Sequence, residues 1–235
     1  MAASTDSENC LAHVSTEKSI PPEETLMNKV LSTLSLVFIL SLPSVAQEYQ
    51  QDVNFFELQV AQPVHTGDKI EVLELFWYRC PHCYALESYL NKWLKNKPDF
   101  VEFVRFPAVL NRSWAFDARV YYTFVALGLV DRLHEPYFEA IHEEKKQFRS
   151  LEQVADWVAE QGLDPQPILD TFNSFGVDSM VAHAADMSGR YETDGVPTII
   201  IDGKYRTKVS WAGGHNELID LMNYLAQRAQ TERTN

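Results

Sequence analysis

Cys80 and Cys83, spaced C-x-x-C within "FWYRCPHCYALE" (76–87), are the residues of this chain best equipped for chemistry. Such a pair can be a structural bridge, half of a metal site or a thiol–disulfide couple. As a bridge it would close a loop of four residues. That is worth about 2 kcal/mol on chain-entropy grounds, against about 5 kcal/mol for a long loop, so it makes a weak staple. A structural zinc needs four ligands, normally with a second short-spaced Cys or His pair. His65, His82, His134, His142, His183 and His215 provide no such pair. The segment "HEPYFEAIH" (134–142) has its histidines eight apart with Pro136 between them, not at the four-residue spacing of a zinc-protease helix. Redox chemistry is the reading that the flanking residues favour.

The elements that must position the pair are legible on both sides. "KIEVLELFWY" (69–78) is dense in β-branched, leucine and aromatic residues, as a buried central strand should be. "YALESYLNKWLKN" (84–96) carries Leu86, Leu90, Trp93 and Leu94 at helical spacing. Cys80 therefore falls where a strand hands over to a helix. There, unpaired N–H groups and the positive end of the helix dipole stabilise a thiolate. Pro81 suits the first helical turn, where its missing N–H is not needed. Cys83, one turn further in, faces the fold. An exposed attacking sulfur and a sheltered resolving one is the expected division of labour.

The N-terminus bears on the redox compartment. Residues 1–26 are polar and aperiodic, and read as an upstream extension outside the fold. Residues 27–46 have Lys29, an apolar stretch from Val30 to Leu42, Pro43 and small residues at Ser44 and Ala46. That is a signal peptide cut after Ala46, and too short an apolar run for a bilayer span. Cys10 leaves with it, and export brings the remaining pair to a compartment where disulfides persist. The 235-residue chain, 46% hydrophobic and 12% aromatic, has room for one or two domains. Its net charge of −13 argues against a nucleic-acid partner.

Strand–CPHC–helix, a long helical stretch and then "GVPTIIIDGKY" (195–205) together resemble the DsbA family of periplasmic disulfide oxidases over 47–235. The resemblance implies Cys80 as nucleophile, Cys83 as its partner, and Pro81 and His82 as the dipeptide between them. His82 would stabilise the Cys80 thiolate and bias the pair toward its reduced form, hence toward oxidising substrates. Val196-Pro197 resembles the family's cis-proline corner, whose backbone is left to pair with an extended substrate strand. Glu74, six residues before Cys80 in a largely apolar strand, matches the family's buried acid, which exchanges a proton with Cys83. Implied partners are exported cysteine-containing polypeptides and a DsbB-like, quinone-linked inner-membrane oxidase. The resemblance implies a periplasmic monomer without metal, flavin or nucleotide.

The rest of the chain fits an α/β, thioredoxin-like fold (47–111 and 191–235) with an inserted all-helical domain (112–190). "DFVEFVRFP" (99–107) reads as a second core strand, and Phe116, Val120 and Phe124 repeat at four. Ser150 and Gln153 form a capping box for a helix closed by Gly162, and Asp164-Pro165 caps the next. Asp202-Gly203 makes a hairpin turn, "AGGH" (212–215) a turn before the last helix, and "HEEKK" (142–146) a solvated helix face. Two rival readings use the same groove: a reductase or isomerase running at lower potential, and a non-catalytic binder of extended polypeptide.

Overall fold

The most apolar stretch of the sequence becomes the centre of the sheet. In the computed structural model, which describes residues 49–234, β2 (Ile70–Phe76) is buried along its whole length. β3 (Val101–Pro107) runs parallel on one side of it and β4 (Thr198–Ile201) antiparallel on the other. β5 (Tyr205–Thr207) and the short β1 (Phe56–Glu57) complete the order β1-β5-β4-β2-β3. β1 has no clear periodicity in the sequence, and its pairing with β5 is a tertiary choice.

The parallel β2–β3 pair requires a crossover, which α1 (Pro81–Leu94) provides. After β3 a 3₁₀ turn at Arg112–Trp114 leads into α2 (Ala115–Ala126), α3 (Val130–His142), α4 (Leu151–Glu160), α5 (Gln166–Thr171) and α6 (Phe175–Arg190). A four-residue α7 (Val209–Ala212) and the long α8 (His215–Thr234) close the chain. None of these helices is long and apolar enough to cross a membrane. The leader assigned to 27–46, the extension before it and Cys10 lie outside the described residues.

Alternation along β2 separates two packing faces. Ile70 and Val72 join Leu86 and Leu90 of α1 and Leu218, Leu221 and Leu225 of α8. Leu73 and Leu75 face Met187 of α6 and Tyr191, in a core that continues through Phe124, Tyr137, Phe138 and Trp157. The sheet thus carries a core on each face, and the described residues belong to one compact unit.

Several local expectations hold at the level of single atoms. Ser150 Oγ accepts from Gln153 N at 3.4 Å, although the returning Gln153 Oε1 takes Arg149 N at 2.6 Å. Asp164 Oδ1 accepts from Gln166 N at 3.0 Å at the start of α5. Asp202 and Gly203 both have positive φ, 55° and 62°, with Lys204 N bonded to Ile201 O, a type I′ hairpin. A Cβ on Gly203 would lie 2.0 Å from Gln62 O, so only glycine fits.

The core strand expected within 99–107 is present as β3, with Val101 and Phe106 buried, and it forms one edge of the sheet. Its outer backbone is occupied by Lys97 Nζ on Val101 O and by Tyr121 OH on Arg105 O, and Pro107 brings no N–H. One expectation needs correction: the stretch 142–146 is not a solvated helix face, because α3 ends at His142. That imidazole stacks on Tyr84 with centroids 4.9 Å apart and hydrogen-bonds Tyr78 O at 2.8 Å.

Phe124 lies fully buried against Tyr137 and Trp157, so Phe124→Ala leaves a cavity that rigid aromatic neighbours cannot fill. Urea unfolding of this variant is expected to lose about 3–5 kcal/mol. A loss under about 1 kcal/mol would mean that the helical core is not close-packed there.

Candidate active site

Cys80 and Cys83 are unbonded thiols at the start of α1, with Cys80 the residue before the helix and Pro81 its first member. Cys83 is fully buried and Cys80 is 6% exposed. The expected contrast between an exposed and a sheltered sulfur is therefore narrower than the sequence suggested. The sulfurs differ mainly in electrostatics. The Cys80 pKa is lowered from 9.0 to about 6. Its largest cause is the hydrogen bond from the Cys83 thiol, supported by the amide N–H groups of Cys83 and His82 and the charge of the His82 imidazole, while burial opposes them. Burial pushes the Cys83 thiol well up, and the Cys80 sulfur beside it pushes the same way. The arrangement can hold a thiolate on Cys80 and a proton on Cys83.

Val196-Pro197 is a cis peptide, and Val196 O lies 3.3 Å from Cys80 Sγ, a hydrogen bond that the protonated thiol can donate and the thiolate cannot. Only protonated Cys80 engages the Val196 carbonyl in this way, so ionisation of the sulfur frees that carbonyl. Beside the pair lies a groove of about 400 Å³, lined by His82, Val196, Pro197, Lys208, Val209, Ser210 and His215. His82 is exposed at its rim.

Glu74 sits on the α1 side of β2 and is fully buried. Neither carboxylate oxygen has a hydrogen-bond partner, and Arg105 Nε is 3.9 Å away. Burial raises its pKa well above the carboxylate range, the charge of Glu87 and the Cys80 sulfur raise it further, and only Arg105 opposes. Glu74 in turn raises the pKa of Cys83. The structure therefore brings Cys80, Cys83, Glu74 and the Val196-Pro197 corner together, with His82 at the edge.

Sequence reading missed the polar cluster that surrounds Glu74. The parallel register sets Arg105 beside Glu74. Arg105 grips Glu87 of α1 through Nη2 at 2.8 Å and Nε at 3.4 Å, and also reaches Asn91 Oδ1 at 3.3 Å. His134 of α3 completes the set, with Nε2 3.3 Å from Glu87 Oε1 and Nδ1 3.0 Å from Tyr78 OH. Burial lowers the His134 pKa, which keeps the ring neutral. A carboxylate only accepts, so Nε2 carries the proton and Nδ1 accepts from Tyr78. For Glu87, burial works upward, but the His134 hydrogen bond and Arg105 outweigh it and its pKa is lowered. Two buried carboxylates within one cluster thus take opposite states, Glu87 charged and Glu74 neutral. Glu87 had a sequence signal, an acid on the apolar stripe of Leu86 and Leu90. Arg105 and His134 had none, because register and helix docking bring them in.

A strand–CPHC–helix junction facing a cis-proline, on a five-stranded mixed sheet with a helical cover, defines a thiol–disulfide oxidoreductase of thioredoxin-like fold. A family model described as a DSBA-like thioredoxin domain matches residues 104–220, which hold the cis-proline corner and the helices between β3 and β4. The thiol:disulfide interchange protein DsbA of Pseudomonas aeruginosa is 35% identical over 204 residues, 86% of this chain and 97% of that protein. DsbA of Pseudomonas syringae pv. tomato is 37% identical over 183 residues, covering 78% and 86%. The crystal structure of Pseudomonas aeruginosa DsbA superposes with a TM-score of 0.77 at 36% identity, over 81% of this chain and 99% of that one. That of the Xylella fastidiosa oxidoreductase DsbA gives 0.70 at 30% identity, over 76% and 96%. The chain belongs to the DsbA family, and it is an enzyme, a thiol:disulfide oxidoreductase acting as a disulfide oxidase.

The Cys80 shift carries a pH dependence of definite sign. The folded dithiol has its thiol pKa at about 6, below the ordinary 9.0. Its stabilising effect is complete above pH 9 and is lost as pH falls through 6. The disulfide form lacks this group. Thermal melts of the two forms should therefore diverge in favour of the dithiol between pH 6 and 9. A pH-independent difference would refute the thiolate.

Proposed function

We propose that the Cys80–Cys83 disulfide is the group handed to substrate, with Cys80 as the attacked sulfur and Cys83 as the resolving one. A substrate thiolate attacks Cys80 Sγ, forming a mixed disulfide and releasing Cys83 as the leaving group. Glu74 supplies the proton that Cys83 then takes up and is reprotonated from solvent, so that the dithiol enzyme again holds a neutral Glu74. A second substrate thiolate breaks the mixed disulfide and leaves Cys80 as a thiolate. Two electrons pass to the enzyme, substrate gains one disulfide, and the enzyme is left as a dithiol. The single observation that carries this reading is the placement of the two sulfurs, Cys80 at the start of α1 on the donors there and Cys83 fully buried one turn inside it. A stabilised Cys80 thiolate makes a good leaving group and favours the reduced enzyme, which drives electrons from substrate to protein.

His82 and Pro81 serve as the dipeptide that aims the helix start at Cys80. Val196 and Pro197 form the wall against which an extended substrate segment lies, in the groove bounded by Lys208 and His215. Substrates are cysteine-containing polypeptides newly exported to the periplasm. The enzyme reaches that compartment by cleavage of the signal peptide 27–46 after Ala46, and it acts there as a monomer. A DsbB-like membrane protein takes the two electrons on to a quinone. Residues 112–190 are an inserted helical domain, and 47–111 with 191–235 the thioredoxin-like part.

Two experiments test this reading. On non-reducing gels with a reduced dithiol substrate, Cys83→Ser is expected to accumulate a mixed disulfide and Cys80→Ser to be inert. Recovery of no adduct from Cys83→Ser would overturn the assignment, and full function of Cys80→Ser would favour a non-catalytic binder. Glu74→Gln keeps the buried shape but cannot exchange a proton. It should slow substrate oxidation at neutral pH by roughly tenfold or more with little loss of stability. An unchanged rate would remove Glu74 from the mechanism.

A further inference from the structure

The residues just before Cys80 are each tied to the helical elements, and the mechanism above uses none of these ties. Trp77 Nε1 donates to Asp117 Oδ2 at 2.7 Å. Arg79 Nε donates to the same oxygen at 2.9 Å, and its Nη2 to Asp117 Oδ1 at 3.2 Å and to Phe148 O at 2.5 Å. The Tyr78 carbonyl accepts from His142 Nε2 at 2.8 Å. The Trp77 ring lies flat on Trp114, with centroids 4.3 Å apart.

Asp117, in the first turn of α2, is only 1% exposed. It is a carboxylate taken out of water and given three N–H donors, all from side chains of the 77–79 turn. A bidentate guanidinium–carboxylate pair of this kind fixes orientation as well as distance. The turn reaches Cys80 directly, because Cys80 N donates to Trp77 O at 2.9 Å. The Cys80 sulfur depends on donors that act only at hydrogen-bond range, the Cys83 thiol and the amides of His82 and Cys83.

We propose that Asp117 and Arg79 are positioning residues for the reactive sulfur. Their ion pair anchors the 77–79 turn to α2 and thereby keeps Cys80 Sγ on the donors at the start of α1. The inference rests on Cys80 as the nucleophile. Positioning and direct electrostatics predict opposite outcomes for one variant. Asp117→Asn removes an anion and frees the Arg79 charge near Cys80, which by electrostatics alone would lower the thiol pKa. Loss of positioning raises it.

The test is the ultraviolet thiolate titration of the reduced full-length chain, with wild type, Asp117→Asn, Arg79→Gln, Arg79→Lys and the Arg79→Gln/Asp117→Asn pair compared. Val158→Ala, a core change in α4 away from the turn, serves as a control for destabilisation alone. Asp117→Asn and Arg79→Gln should each move the Cys80 midpoint up from about 6 by about one unit, tenfold in thiolate stabilisation. The pair should shift it no further than the larger single change, Arg79→Lys should recover part of the shift, and Val158→Ala should leave it in place. An Asp117→Asn midpoint at or below that of wild type overturns the clamp. Should Asp117→Asn not fold, an Arg79→Gln midpoint equal to wild type does so instead. A wild-type chain whose thiols show no midpoint below the ordinary 9.0 would overturn the nucleophile assignment itself and the clamp with it, an outcome separable from a clamp failure on a normal wild type.

Discussion

A thiolate that is almost closed off from water has to be solvated by the protein. Cys80 meets that constraint with the few donors at the start of α1, and much of the molecule serves to hold them in place. Pro81 opens the helix without wasting an N–H, and the next two amides are free to point at the sulfur. The strongest single donor is Cys83, which can donate only while it keeps its proton. Burial of Cys83 is therefore part of what stabilises charge on Cys80. The redox pair is one electrostatic unit in which each sulfur sets the state of the other.

The buried cluster beneath the pair follows from the same constraint. An anion in the protein interior needs close, well-aligned donors, and Glu87 has them in Arg105 and His134. Glu74 shares the region but has the guanidinium only at 3.9 Å and no hydrogen bond. A second negative charge beside Glu87 and the Cys80 sulfur would be costly, so Glu74 stays neutral. A neutral acid is what a site needs if a proton is to be delivered to a leaving thiolate. The arginine that secures Glu87 thus also leaves Glu74 available.

The helices between β3 and β4 do more than cover the sheet. α3 contributes His134 to the polar cluster and His142 to the Tyr78 carbonyl, and α2 contributes Asp117 to Trp77 and Arg79. Phe76 and Tyr78, at the end of the central strand, are packed edge-on by Tyr121, Tyr137 and Phe138. Docking of these helices on the segment before Cys80 couples the geometry of the redox pair to a part of the chain far away in sequence.

The sequence by itself determined whatever depends on local spacing. C-x-x-C at a strand-to-helix junction, the apolar run of β2, the helical period after Cys83, the caps at Ser150 and Asp164 and the turn at Asp202-Gly203 are all short-range patterns. Two carboxylates, Glu71 and Glu74, interrupt the apolar strand, and the family resemblance singled out Glu74. The resemblance to the DsbA family supplied the pairing of CPHC with Val196-Pro197, which no local pattern contains. Tertiary structure decided the rest, because those features depend on register and docking. It decided that β3 is an edge strand, that Arg105 lies beside Glu74, that His134 and His142 reach the active site, and that Cys80 is nearly as buried as Cys83. Arg105 looks like any strand arginine, and His142 like part of a charged surface run. Only the parallel register of β2 and β3 puts Arg105 beside Glu74, and only the seating of α3 puts His142 on the Tyr78 carbonyl, since side chains separated by dozens of residues leave no periodic mark in the chain.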